Sequence, residues 1–208
     1  MPNEKLTFLY PRSHYLHRPV PTEVSATSSE PLDIDRIKEF DSFIITGAPI
    51  DHLAFHDVEY IEEIRCLLQE LDKQRKQQLY FCWGAMAAMN YFYGIRKRIL
   101  AEKIFGIFPH LIIEPYPLLD GLSQGFIVPH ARYAETDKEQ NFIFSHIEYG
   151  RTGLRDEYQR EIAAHPDRHY KKPDNYSMSS PLFQWKDTQK TFFDNWLKQV
   201  EKSKLVLN

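Results

Sequence analysis

The stretch Leu79-Tyr80-Phe81-Cys82-Trp83-Gly84-Ala85-Met86-Ala87-Ala88-Met89-Asn90 reads in three parts. Leu79 to Phe81 suits a strand. The run from Ala85 to Asn90 is rich in good helix formers and small residues, and Gly94 suits the end of that helix. Cys82 therefore falls at a strand-to-helix turn, and Gly84 and Ala85 are small enough for the chain to turn sharply there, as a nucleophile elbow requires. A thiolate at the amino end of a helix is favoured by the helix dipole and the backbone N–H groups of the first turn. Taken alone, a cysteine at the end of a core strand is more often a packing thiol, so the weight rests on what accompanies it.

Two other segments end in the same way. Gly47-Ala48-Pro49 follows the strand-like Phe43-Ile44-Ile45-Thr46, and His146-Ile147-Glu148 follows Asn141-Phe142-Ile143-Phe144. All three would then sit at the carboxyl ends of strands, where open α/β sheets place their chemistry. On a strand that stays extended, His146 and Glu148 project from one face. An imidazole oriented by a carboxylate is the arrangement that activates a thiol. The catalytic candidates are Cys82, His146 and Glu148. The turn at Gly47-Ala48-Pro49 offers the Ala48 backbone to a developing oxyanion, with the Trp83 N–H as a second donor.

A chain of 208 residues with 42% hydrophobic content can bury one sizeable core, so a single domain over 1–208 is expected, with a loop-rich Pro/Ser/Thr stretch at 11–31. The net charge of -3 comes from interspersed acids and bases. Without a clustered basic stripe, nucleic acid is not an expected partner. Leu6 to Tyr10 is an edge-strand candidate, too short and too soon broken by Pro11 for a signal-peptide core, and no run approaches a membrane span. With only Cys66 and Cys82, free thiols and a cytoplasmic location are expected. Apolar residues at Val58, Ile61, Ile64, Leu68 and Leu71 predict a helix within 57–77, with Cys66 as a packing thiol in it. Leu154, Tyr158 and Ile162 predict another over 152–164, and Phe192, Phe193, Trp196, Leu197 and Val200 a last one over 188–200, its start packed by Phe183 and Trp185. The alternation gives an α/β fold with a mostly parallel sheet flanked by helices. His52 and His56 have helical i, i+4 spacing, but no third ligand is evident, and no metal is expected. His165 and His169 flank Pro166 in a loop and read as surface residues.

These residues resemble the homoserine O-acyltransferase family (homoserine O-succinyltransferases, or transsuccinylases), which has the flavodoxin-like fold of class I glutamine amidotransferases. The resemblance is carried by the segment from Phe40 to Pro49, by Phe81-Cys82-Trp83 with Asn90, Tyr93-Gly94-Ile95 and Glu102-Lys103, and by Pro129-His130-Ala131-Arg132-Tyr133-Ala134. It continues through His146 to Tyr149, Glu157 and Arg160, and ends at Phe193-Asp194-Asn195-Trp196-Leu197. It implies a ping-pong transfer in which Cys82 takes an acyl group from acetyl-CoA or succinyl-CoA, without another cofactor, and His146 deprotonates a hydroxy amino acid. It also implies substrate contacts at Lys103, Ala131, Arg132 and Arg160. Arg160 is chemically apt, because a guanidinium grips a carboxylate with two hydrogen bonds. Glu157, three residues earlier on the same helical face, would complete a clamp for a zwitterion. Asp51 falls where the family biases donor choice, and its carboxylate would repel the free carboxylate of a succinyl group. Acetyl transfer to homoserine is the first expectation, with serine an alternative because Ala131 replaces a serine of the family's P-H-S-R-Y-A segment.

Other departures are Met86 for a glutamine, Ile147 for a proline, a missing leading strand, and a missing segment between Tyr133 and Asn141. An exposed sheet edge left by that loss predicts a homodimer. Two rival readings stay open, a glutaminase-like amidotransferase, which Met86 disfavours, and an inactive binding or regulatory relative.

Overall fold

The computed structural model describes residues 5–27, 29–136 and 145–207. They fall into two compact units, one within Met1–Phe43 and Leu53–Gln78, the other within Ile44–His52 and Leu79–Asn208. In the first unit, β1 (Leu9–Tyr10) pairs in parallel with β2 (Glu30–Pro31), and the short helix α1 (Thr22–Ala26) falls between them in the chain. The stretch expected to be loop is therefore partly ordered. Glu63 of α2 (Ile61–Lys73) accepts the Arg12 and Ser13 N–H groups, each at 2.8 Å, and so caps the 3-10 turn Ser13–Tyr15.

The expected stripe of α2 is buried, Ile61, Ile64, Leu68 and Leu71 with Leu67 added, and Val58 is buried just before it. The helix packs against the 3-10 turn Ile34–Glu39, whose Ile37 has no exposed surface. It is shorter than the apolar pattern suggested, because Arg75 adopts a left-handed φ of 51° and turns the chain. Cys66 is exposed, contrary to expectation. Five residues from Ile61, it lies off the buried face at 3.6 residues per turn.

The strand-turn-helix reading holds. β3 (Ser42–Ile45) pairs with β4 (Gln77–Tyr80), and α3 (Cys82–Tyr93) begins two residues after β4, ending at Gly94 with a left-handed φ of 65°. Phe81 donates its N–H to Ile45 O at 2.9 Å, which fixes the turn against the end of β3. Gly84 is required here: a Cβ on it would meet Ile45 O at 2.6 Å and Thr46 O at 2.8 Å. Every residue from Cys82 to Met89 is buried, which is why the first turns of α3 are so rich in alanine and glycine.

The rest of the second unit is built on a long antiparallel ladder, β5 (Lys97–His110) with β6 (Phe126–Thr136), paired from Lys97↔Thr136 to His110↔Phe126 with an irregularity between Ile99 and Ile104. Helices α4 (Gly153–Ala164) and α5 (Lys186–Leu207) follow. Phe192, Trp196 and Val200 of α5 pack with Leu79, Phe81, Val128 and Ile147 in one cluster. Phe105, Ile107, Leu154, Tyr176 and the fully buried Trp185 form another. Trp185 also donates its indole N–H to Tyr149 O at 2.8 Å. The α/β class stands, with its longest ladder antiparallel. The expected strand Asn141–Phe144 and most of the segment after Tyr133 lie outside the described residues. Among the described residues, no helix is long and apolar enough to cross a membrane.

Candidate active site

Cys82 has a left-handed φ of 46°, an unfavourable conformation for a side chain with a Cβ. Such strain is found where surrounding structure imposes it, and here β4 and the packed start of α3 hold it in place. The turn carrying Gly47 comes so close that a Cβ there would lie 2.9 Å from Cys82 Cβ, 3.3 Å from its Sγ and 3.4 Å from His146 Cε1. The three segments singled out in the sequence thus meet at one point.

His146 arrives there by a different route from the extended strand expected. Its N–H is held by Pro129 O of β6 at 2.8 Å, and Tyr149 N–H closes a turn onto His146 O at 2.9 Å. Inside that turn, His146 Nδ1 and Glu148 Oε1 are 2.8 Å apart. Burial disfavours the imidazolium, but hydrogen bonds and charges from Cys82 and Glu148 outweigh it, and the proton affinity of His146 is raised well above its ordinary value. The imidazole beside Cys82 is therefore held in its protonated form. Tyr149 stacks on the imidazole with ring centroids 4.2 Å apart. Burial and the carboxylates of Glu157 and Glu148 push the Tyr149 phenol up, so it remains a neutral donor, with its OH 3.4 Å from Glu157 Oε2.

Cys82, His146 and Glu148 open into a cavity of about 1030 Å³ that is also lined by Ala48, Asp51, Lys103, Ala131, Glu157 and Arg160. Lys103, a position that sequence alone would leave solvated, has its side chain only 6% exposed. Its Nζ lies 3.1 Å from Glu157 Oε1 and 2.8 Å from Glu161 Oε1, above the rings of Phe105 at 4.3 Å and Tyr133 at 5.1 Å. Arg160 pairs with the other oxygen of Glu157 from the solvent side. Burial raises the Glu157 carboxyl, but Lys103 and Arg160 prevail and hold it below its ordinary range. Two cations and two carboxylates thus face one space, a composition that accepts a zwitterion without leaving a net buried charge.

Asp51 is buried, and its Oδ2 accepts the Tyr133 N–H at 2.9 Å. It is both a tether for β6 and a carboxyl group on the cavity wall. Burial raises its pKa, with the Tyr133 N–H and the Lys97 charge opposing that shift. Trp83 and Arg132 do not line the cavity. Trp83 is buried as the second residue of α3, where first-turn N–H groups point out of the helix end. Arg132 points to the other face of β6 from Ala131 and Tyr133, and donates to His130 Nδ1. Burial, then Arg132 and His110, push the His130 pKa down to about 2. The imidazole is thus neutral and can accept that bond, and it stacks on His110 at 4.9 Å.

The sequence assigns no role to Tyr149, which it places only within the family resemblance, and none to Glu161. Glu161 stands four residues after Glu157 on the same helical face, a signal that was available. His52 lines the cavity, but His56 sits in a separate 3-10 turn, Phe55–Asp57, so the pair does not share a helical face. Among the described residues, no cluster of three or more His, Cys, Asp or Glu could hold a metal. His165 and His169 are exposed, and both line the outer part of the cavity.

Comparison with known proteins gives this geometry a family. The model of the homoserine O-succinyltransferase family matches residues 5–141 and 135–204, two pieces that meet where the sequence reading located the missing segment. A serine O-acetyltransferase of Lactobacillus acidophilus is 64% identical over 237 aligned positions, covering 100% of this chain and 90% of that protein. A homoserine O-acetyltransferase of Acetivibrio thermocellus is 30% identical over 227 positions, covering 93% and 73%. A glutamine amidotransferase of Thermotoga maritima shares the fold, with a TM-score of 0.61 at 10% identity over 86% of this chain and 89% of that one. The chain belongs to the homoserine O-succinyltransferase family.

Proposed function

We propose that this family member transfers an acetyl group from acetyl-CoA to the hydroxyl of serine through an acetyl-Cys82 thioester. The observation that carries the reading is a strained cysteine with an imidazole and carboxylate in the same cavity as the Lys103, Glu157 and Arg160 cluster. The Cys82 thiolate attacks the thioester carbonyl, and the oxyanion forms beside the Gly47-Ala48 backbone and the first-turn Trp83 N–H. The carbon–sulfur bond to CoA breaks, and the proton on His146 goes to the departing CoA thiolate. Serine then binds with its carboxylate toward Arg160 and its ammonium toward Glu157. His146 removes the hydroxyl proton, the alkoxide attacks acetyl-Cys82, and expulsion of the thiolate restores the starting pair with its proton on His146. Glu148 keeps the imidazole oriented throughout.

Two features favour serine over the homoserine of the first expectation. The 64%-identical relative is named for serine, whereas two homoserine-named relatives are 30% and 35% identical. Ala131 also removes a hydroxyl from the wall that the family resemblance assigns to the acceptor, and such a loss changes which hydroxyl a site can hold. Asp51 on the cavity wall supports acetyl over succinyl transfer, because a carboxylate in a confined site disfavours a second one.

Thiol release from acetyl-CoA, followed with serine, homoserine or no acceptor and with Cys82→Ala alongside, tests the proposal. Serine-dependent release with kcat/KM at least tenfold above homoserine, lost in Cys82→Ala, is the expected result. A preference for homoserine would move the acceptor back to the homoserine enzymes of the family. No acceptor-dependent release with acetyl-CoA or succinyl-CoA would overturn the acyltransferase reading.

A further inference from the structure

The proposed reaction needs a place for the part of the donor that does not react. Acyl-CoA carries its thioester at one end of a pantetheine arm and an adenosine with three phosphates at the other. A phosphate site therefore belongs at the cavity mouth, away from Cys82. One face of α4 runs in that direction: Glu157, Arg160, Glu161, Ala164 and His165 line the cavity in turn, at spacings of three, one, three and one. At 1.5 Å per residue, the eight steps from Glu157 to His165 span roughly 12 Å. Along that line the environment changes from buried, mutually neutralised charges to exposed basic ones.

Beyond the helix end, His165, Arg168 and His169 face the same cavity from the turn after α4, and all three are exposed. Among the described residues, none of these side chains makes a hydrogen bond or ion pair, in contrast to Lys103 and Arg160, which are held by Glu157 and Glu161. Lys171 is paired with Asp174 at 2.8 Å, and Lys172 adds another exposed cation. Asp167 is the only acid between His165 and Lys172. Unpaired basic side chains at the mouth of a cavity with a nucleophile at its base form an electrostatic funnel for a polyanion. Arg168 brings a guanidinium fork suited to bidentate phosphate contact.

Resting on the acyl-CoA reading above, we infer that His165, Arg168 and His169 form the binding site for the phosphates of the donor's adenosine end. Arg168 is the principal contact, and α4 joins the two substrate sites: its buried turns hold the acceptor, and its exit holds the donor.

The test compares the wild-type protein with Arg168→Glu, an exposed substitution that removes no packing. Calorimetry with adenosine 3′,5′-bisphosphate measures the phosphate site without turnover. Kinetics with acetyl-CoA and with the truncated donor S-acetyl-N-acetylcysteamine, which has no phosphates, measure its part in transfer. The expected result is about tenfold weaker bisphosphate binding and an apparent KM for acetyl-CoA raised about tenfold, with kcat/KM for the truncated donor unchanged. Equal bisphosphate affinity in the two proteins overturns the inference, and so does an equal loss with both donors. Failure of the wild-type protein to transfer acetyl from either donor would sink the proposed function, while calorimetry would still decide the phosphate site.

Discussion

Adding one methyl group at Gly47 should stop chemistry while leaving the fold intact. The new Cβ of Gly47→Ala would meet Cys82 Cβ at 2.9 Å, its Sγ at 3.3 Å and His146 Cε1 at 3.4 Å. Carbon atoms in ordinary contact sit about 3.5–4.0 Å apart, so Cys82 or the Gly47 turn must shift by roughly 0.5–1 Å. Misplacement on that scale in a site that depends on near-attack geometry costs about 100-fold in rate. The backbone at Gly47 is not in the left-handed region, so alanine can adopt it, and the loss of chain entropy in the unfolded state offsets about 0.4–1 kcal/mol of the crowding. Gly84→Ala is the matched control, since its Cβ would meet two carbonyl oxygens of the backbone, at 2.6 and 2.8 Å. Neither can swing aside, so α3 must move off β3, at a cost of about 1–3 kcal/mol and a Tm lower by several degrees. Thiol release from acetyl-CoA in the presence of serine, measured beside a thermal melt, separates the two. Gly47→Ala with near wild-type kcat, or with a Tm loss as large as that of Gly84→Ala, would refute the account of Gly47 as the residue that lets nucleophile and base approach.

Other consequences can be measured separately. Glu148→Gln removes one of the groups that raise the His146 proton affinity, so the imidazole should lose its proton at lower pH; the alkaline limb of the transfer rate then moves down, and an unmoved limb would count against Glu148 as the orienting group. Asp51→Asn keeps an oxygen to accept the Tyr133 N–H but removes the charge, and should raise kcat/KM for succinyl-CoA about tenfold relative to acetyl-CoA; an unchanged ratio would show that Asp51 acts only as a tether. Lys103→Met leaves the buried Glu157 and the half-buried Glu161 without their shared cation, and should lower stability by about 3–5 kcal/mol in urea unfolding as well as raise the KM for serine; a change below 1 kcal/mol would mean the cluster is already open to water.

Some elements were legible because several local signals agreed. The α2 stripe, the elbow at Cys82 and the end of α3 at Gly94 each rest on periodicity, small residues or a cap in the same few positions. β5 and β6 were not read, although they form the longest ladder. Charged residues at Lys97, Arg98, Glu102 and Lys103 and the interior Gly106, Pro109 and Pro129 break the apolar alternation that marks a strand. In α4 the stripe holds at Leu154, which has no exposed surface, and at Tyr158, which packs on the same cluster, but Ile162 is 39% exposed while Glu157 is buried at 9%. Hydropathy assigns the apolar side of a helix to the interior, and this helix also buries the carboxylate of Glu157, which Lys103 neutralises. His146 and Glu148 came together as expected, but through a tight turn instead of an extended strand.

The inward carboxylate of α4 separates what the fold supplies from what the chemistry requires. A likeness at 10% identity to an amidotransferase carries the fold alone, the arrangement of strands and helices on which a nucleophile can stand. It carries nothing about the second substrate. The groups that would choose that substrate are Lys103 on β5, Ala131 on β6, and Glu157, Arg160 and Glu161 on α4. None of them helps to form the elbow, and a glutaminase reading gives no role to a neutral four-charge cluster in the same cavity as the thiol. An acceptor that enters as a zwitterion does, because its ammonium and carboxylate can each replace one internal partner without stranding a charge. The specificity of this chain is therefore to be sought along α4, which presents the buried Glu157 and the half-buried Glu161, with their cations, to the cavity that holds Cys82.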